Sequence, residues 1–211
     1  SASELEGGWS ARAFRVETAE GTFFLKAYDK QKASTKIWTA AIDSYMPIVL
    51  WLHSSTGLNG KIVCPALTSS GEYKCEDERF IYLLFPYIEG YTLGDKPMSV
   101  TQGTEIAEII AELHRFGAEI PVSTEMIKED FSVPFCHELK EIIRLPSKSE
   151  TNETHRILME FAYTLNKNIE KTETLAARLS KDNLHFVLCH TDVHSWNLMQ
   201  SNRLILIDWE G

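Results

Sequence analysis

Asp192, Asn197 and Asp208 carry the oxygen groups near the C-terminus whose types and spacing could do chemistry. His190 opens an H-x-D-x-x-x-x-N pattern through Asp192 and Asn197, and Asp208 sits in an I-D-W-E run at 207–210. Phosphoryl transfer needs one carboxylate facing the acceptor hydroxyl, together with an amide and a second carboxylate holding Mg²⁺ on the phosphates. All three side chains are hard-cation ligands or proton acceptors. The set therefore suits ATP-dependent phosphorylation of a small molecule.

Such groups must be delivered by rigid elements. The apolar run 184–189 has strand length and leads to His190 and Asp192. A second apolar run begins just past Ser201-Asn202, a turn signal, and delivers Asp208 from a β-hairpin that starts after Asn197. At the other end, residues 1–30 read as three strands joined by tight turns at Gly7-Gly8 and Glu20-Gly21. A glycine pair between antiparallel strands lets backbone N–H groups approach a triphosphate, and it is also an ordinary turn. Lys26 closes the aromatic and aliphatic run 23–25. A lone lysine there either faces solvent by alternation or reaches for an anion.

A helical region is predicted from Ser34 or Thr35 to about His53, with Pro47 marking a break or a new first turn. Asp43 is its one acid, able to pair with Lys26 or to stand solvated at the surface. Strands are expected over 61–68 and 72–76, around Ser69-Ser70-Gly71. The run 80–85 is continuously apolar and reads as a strand buried on both faces. Pro86 ends it, and Gly90 permits a sharp turn, so 85–90 reads as a link between two lobes. Beyond it the chain becomes helix-rich. Ser99 or Thr101 caps a helix to about Phe116, a short helix is expected near 137–145, and a long one over 151–181. In the last, Ile157, Leu158, Phe161, Leu165, Ile169, Leu175 and Leu179 follow helical spacing and read as core.

Composition narrows the classes. With 211 residues and 44% hydrophobic content the chain can bury a core of one or two domains. No run approaches the roughly 20 apolar residues of a membrane span. Cys64, Cys75, Cys136 and Cys189 show no C-x-x-C pair, which suggests free thiols in a reducing, cytoplasmic setting. A net charge of −9 argues against a nucleic-acid surface and is compatible with a cationic substrate.

Taken together the residues resemble the aminoglycoside phosphotransferase family, small-molecule kinases with the two-lobed fold of protein kinases. The matching stretches are Glu6-Gly7-Gly8 with Phe23-Phe24-Leu25-Lys26, the Phe85-Pro86-Tyr87-Ile88-Glu89-Gly90 link, the Ile110-Ala111-Glu112-Leu113-His114 helix end, Leu188-Cys189-His190-Thr191-Asp192-Val193-His194, and Ile207-Asp208-Trp209-Glu210. The Leu-Cys-His-x-Asp-x-His wording is most similar to the spectinomycin phosphotransferase branch.

The resemblance implies an α+β fold, with an antiparallel-sheet nucleotide lobe at 1–88 and a mainly helical lobe at 91–211. It implies ATP or GTP with Mg²⁺, and a hydroxyl acceptor such as an aminoglycoside or aminocyclitol antibiotic, hence antibiotic resistance. Choline, methylthioribose or homoserine are alternative acceptors. Asp192 would be the catalytic aspartate, with Asn197 and Asp208 holding Mg²⁺. Lys26 would contact the α- and β-phosphates, oriented by Asp43, where relatives usually carry a glutamate. Gly7, Gly8, Trp9 and Ser10 would cover the phosphates, and the main chain of Pro86 and Ile88 would meet adenine. His190 would brace the loop.

Trp196 stands where relatives often carry a small residue, which bears on the acceptor side. The chain stops at Gly211, whereas relatives continue with roughly another hundred helical residues, so an incomplete helical lobe is expected. Two readings of other classes remain: a metal-dependent hydrolase using His190, Asp192 and His194 as ligands, and a kinase-like protein that binds nucleotide without catalysis.

Overall fold

The computed structural model describes residues 1–6, 10–144 and 153–209. They form two compact units, Ser1–Ile127 with Phe186–Gly211, and Lys128–His185. The expected lobe boundary near 85–90 does not coincide with a boundary between these units. Each unit has its own apolar core.

The first unit opens with three strands, β1 (Ala2–Leu5), β2 (Arg12–Thr18) and β3 (Gly21–Asp29), whose β-branched and aromatic residues suit a pleated surface. Two helices, α1 (Thr35–Thr39) and α2 (Ile42–Ser55), and two strands, β4 (Cys75–Glu76) and β5 (Phe80–Pro86), follow. The strands form an antiparallel sheet in the order β1-β2-β3-β5-β4. Strand β6 (Tyr91–Thr92) leads to α3 (Val100–Leu113). Helix α3 starts on a capping box, in which Ser99 accepts from the Gln102 backbone N–H and the Gln102 side chain accepts from the Ser99 N–H. After the second unit the chain returns as a 3-10 turn (Ser195–Asn197), β7 (Leu198–Gln200) and β8 (Leu204–Leu206), and β6-β7-β8 make a second antiparallel sheet.

One core runs through this unit, from Tyr28, Leu83 and Phe85 of the large sheet, through Met46, Val49 and Leu52 of α2, to Ile109 and Leu113 of α3 and Leu198, Leu204 and Leu206 of the hairpin. Pro47 does not break the second helix. The break falls earlier, between α1 and α2, and Pro47 lies inside α2. A proline inside a helix costs about 3 kcal/mol, whereas each of the fully buried Ile42, Met46, Ile48, Val49 and Leu52 contributes about 1.5–3 kcal/mol. Burial wins.

Other expectations are revised by partners the sequence does not reveal. The segment 61–68 forms no strand: it makes one bridge, Ile62 to Leu206, and one backbone bond to β5, from the Ala66 N–H to the Leu84 carbonyl at 2.7 Å, on either side of Pro65, which has no N–H to donate. On β5 only Leu83 and Phe85 are buried, so one face, not both, meets the core. Residues 184–189 are not a strand. Residues 186–189 run past the end of α3, tied by the Leu188 N–H to the Phe116 carbonyl at 2.8 Å.

Gly90 is required by close approach rather than by turn geometry. A Cβ there would stand 2.2 Å from the Gln200 carbonyl oxygen, which β6 pairing fixes in place. Gly90→Ala is expected to lower the unfolding free energy by about 1–3 kcal/mol, readable by urea denaturation of the two forms.

The second unit holds α4 (Pro134–Arg144), α5 (Glu153–Glu160) and α6 (Ala162–Leu179). The expected single helix over 151–181 is interrupted at Phe161, and the residues before 153 lie outside the described ones. Leu158, Ala162, Leu165 and Ile169 pack with Cys136 and Ile143, while Ile157, Phe161 and Leu175 are exposed. Helical spacing correctly marks a stripe there, on α5 and α6, but α4 covers only part of it. No described helix is long and apolar enough to cross a membrane.

Candidate active site

Lys26 is in the middle of β3, not at its end. Antiparallel register sets it opposite Leu83, between the pairs Phe24–Phe85 and Tyr28–Ile81. Residues two apart share a face, so Lys26 shares the face of buried Tyr28 and Leu83 rather than a solvent face. A lysine there must meet an anion, and its Nζ donates to Asp208 Oδ1 at 2.8 Å. The lysine side chain is 15% exposed and the aspartate 40%. Residues 182 positions apart are thus joined.

The hairpin brings the remaining groups to the same place. The Ile207 N–H donates to the Asn197 carbonyl at 3.0 Å, which sets Asn197 beside the backbone that carries Asp208. Asn197 is buried. Its Nδ2 donates to Asp192 twice, to the backbone carbonyl at 3.0 Å and to Oδ2 at 2.8 Å. Its Oδ1 takes no hydrogen bond among the described residues. With both amide hydrogens turned to Asp192, that oxygen is left as an acceptor, and it and the Asp208 carboxylate are both hard-oxygen groups of the kind Mg²⁺ takes.

Asp208 and Thr191 both have left-handed backbone, at φ 66° and 69°. An aspartate tolerates this conformation, and a β-branched threonine does so only under constraint from its surroundings. Such strain gathers where side-chain direction matters more than local energy.

His190 is 5% exposed, and its ring lies against Trp209 with centroids 4.6 Å apart. Its Nε2 is 3.1 Å from the Ile207 carbonyl oxygen. Burial pushes the imidazole pKa down from 6.5, so the neutral ring donates Nε2–H to that carbonyl. It braces one loop against the other. Among the described residues no group of three His, Cys, Asp or Glu could hold a metal ion, which leaves the hydrolase reading without a ligand set there.

The carboxylate expected to orient Lys26 is turned elsewhere. Asp43 accepts from Tyr73 Oη at 2.7 Å and from Lys74 Nζ at 2.8 Å. Both bonds hold its carboxyl below the usual range, with Lys74 the larger cause. Asp43 sits in the first turn of α2 with an exposed side chain, within reach of the strand-4 approach rather than of the inner sheet face. The sequence offered no signal for this partner change.

Pro86 closes β5 opposite Phe23, and the following Tyr87 N–H donates to the Thr22 carbonyl at 3.1 Å. The Ile88 N–H makes no hydrogen bond among the described residues. Ser10 follows the expected glycine loop, while Gly7, Gly8 and Trp9 lie outside the described residues. Trp196 is 56% exposed and packs over Gly94, whose φ of 56° turns the chain between β6 and α3. His194, read from the sequence as a metal ligand of the rival hydrolase and as the end of the His-x-Asp-x-His stretch, stands 3.4 Å from Asp192.

The model of the phosphotransferase enzyme family matches residues 1–211, and the chain belongs to that family. Its fold is shared with solved structures of small-molecule kinases. Spectinomycin phosphotransferase APH(9)-Ia, in complex with ADP and spectinomycin, aligns with a TM-score of 0.72 at 18% identity, covering 99% of this chain and 63% of that one. A Plasmodium vivax ethanolamine kinase aligns at 0.61 and 16% identity, over 99% and 56% of the two chains. Aminoglycoside phosphotransferase APH(4)-Ia aligns at 0.58 and 15%, over 100% and 66%. The chain therefore spans about three-fifths of the length of the first two. Among curated proteins no sequence match was found.

Proposed function

We propose that the protein carrying this chain transfers the γ-phosphate of ATP to a hydroxyl of a small molecule, an aminoglycoside or aminocyclitol being the favoured acceptor. The observation that carries this reading is the 2.8 Å pairing of Lys26 with Asp208, next to an Asn197 that grips Asp192. It is an arrangement with a cation for phosphates, two oxygens for a divalent ion and one carboxylate for a hydroxyl proton.

Asp192 Oδ1 accepts no hydrogen bond among the described residues, so it can receive the acceptor hydroxyl's hydrogen. The acceptor oxygen bonds to the γ-phosphorus as the bond to the β-phosphate bridging oxygen breaks. ADP leaves with that electron pair, and the hydroxyl proton passes to Asp192. Lys26 would shift its amine to the α- and β-phosphates. Asn197 Oδ1 and Asp208 would hold Mg²⁺, which when bound supplies neutralisation of phosphate charge. The main chain at Pro86 and Ile88 would take the adenine edge, and Gly7, Gly8, Trp9 and Ser10 would cover the phosphates. In this reading residues 1–88 serve as the nucleotide lobe and 91–211 as part of the acceptor lobe. The free thiols of all four cysteines suit a cytoplasmic setting.

The acceptor assignment draws on the spectinomycin- and hygromycin-binding neighbours. The ethanolamine kinase neighbour supports a second reading, a small amino alcohol, which shares the hydroxyl-plus-amine chemistry. A transfer assay on the full-length protein with ATP or GTP, against aminocyclitols, aminoglycosides, choline and ethanolamine, tests both. Label transfer to a hydroxyl of one class is expected. Nucleotide binding with no transfer to any acceptor would leave a binding protein instead.

A further inference from the structure

His194 makes two contacts that no role above has used. It is the residue before the 3-10 turn, with extended backbone at φ −147° and ψ 168°, and its Nδ1 accepts the Trp196 backbone N–H at 3.2 Å. A ring nitrogen that accepts a hydrogen bond carries no hydrogen, so the hydrogen of the neutral ring is on Nε2. That nitrogen lies 3.4 Å from Asp192 Oδ2. The backbone cap thus fixes both the tautomer and the ring direction, and the result is an N–H facing the carboxylate.

Oδ2 is the same oxygen that takes the Asn197 Nδ2 bond at 2.8 Å. Two donors converge on one oxygen, and among the described residues none meets the other. The terminal torsion of an aspartate is broad and roughly two-fold, so one donor alone lets the carboxylate swing. A second donor narrows the swing and keeps Oδ1 turned outward. The pair is half-exposed on both sides, so it is not a packing contact on which the fold depends. A separation of 3.4 Å is long for a finished hydrogen bond, as contacts at reacting groups commonly are before substrate binds.

We propose that His194 is a positioning residue for Asp192, holding Oδ2 so that Oδ1 meets the acceptor hydroxyl. The inference rests on the phosphotransfer reading above. In the step itself the hydroxyl proton goes to Oδ1, the acceptor oxygen bonds to phosphorus, and the nucleoside diphosphate leaves. His194 exchanges no proton.

Two substitutions separate its two contacts. His194→Asn keeps an acceptor where Nδ1 stands and is too short to reach Asp192. His194→Gln reaches Asp192 with its terminal amide and gives up the cap. In the full-length protein, with whichever acceptor the transfer assay identifies, His194→Asn should lower kcat by about 10- to 100-fold with the nucleotide KM unchanged. His194→Gln should recover most of that loss in spite of the missing cap. A wild-type kcat for His194→Asn, or a Gln form no better than the Asn form, overturns the proposal. Asp192→Asn is assayed in parallel. If it loses transfer while His194→Asn does not, the positioning role alone fails; if it too keeps transfer, Asp192 leaves the reaction and the positioning role falls with it; and if the parent protein transfers phosphate to no acceptor, the phosphotransfer reading itself fails.

Discussion

Asp192→Asn should lower kcat for phosphoryl transfer by about 10²- to 10⁴-fold, the range over which a positioned proton acceptor acts, while nucleotide affinity stays near that of the parent. The substitution keeps volume and removes the charge proposed to accept the hydroxyl proton. Asn197 still donates to the backbone carbonyl of residue 192, at 3.0 Å in the parent structure, so the loop retains one of its two ties. Lys26 and Asp208, the groups proposed to hold the nucleotide, are untouched. Steady-state kinetics together with calorimetric nucleotide titration distinguish this outcome from local collapse, which would weaken both. Undiminished turnover would take Asp192 out of the reaction.

Asp208→Asn should act on the other half of the site. Loss of a proposed carboxylate ligand is expected to weaken Mg²⁺-nucleotide binding by about 100-fold or more, since even outer partners of a metal account for about 10- to 100-fold. The sign should reverse without metal. In the present structure Asp208 occupies the Lys26 amine at 2.8 Å, and removing its charge leaves that amine more available to phosphate. Nucleotide alone should therefore bind the variant no more weakly than the parent. Titrations with and without Mg²⁺ read both effects, and equal affinities in the metal-containing pair would count against Asp208 as a ligand.

Gly90 and Asp43 show where reading along the chain stops short. Gly90 invites a turn reading because glycine is common in turns, yet its neighbour is a carbonyl 110 positions later, at Gln200. Asp43 is a suitable charge a helix-length from Lys26, yet Tyr73 and Lys74 take its oxygens. Both outcomes depend on which distant segment arrives, and no local propensity encodes that.

By itself the sequence determined the chemistry available and the elements with strong local signals. His190, Asp192, Asn197 and Asp208 are legible because their residue types and short spacings belong to a contiguous loop and hairpin, and the paired register of β7 and β8 follows from an apolar run on each side of Ser201-Asn202. The Ser99–Gln102 box and the antiparallel β1-β2-β3 run were legible for the same reason. The tertiary structure alone decided that Lys26 faces inward to Asp208, that 186–189 passes the end of α3 without pairing as a strand, and that His194 turns an N–H toward Asp192. Each of these depends on burial and on charge partners brought together by chain closure, where a buried cation must find an anion and a ring tautomer is set by whichever backbone amide reaches it.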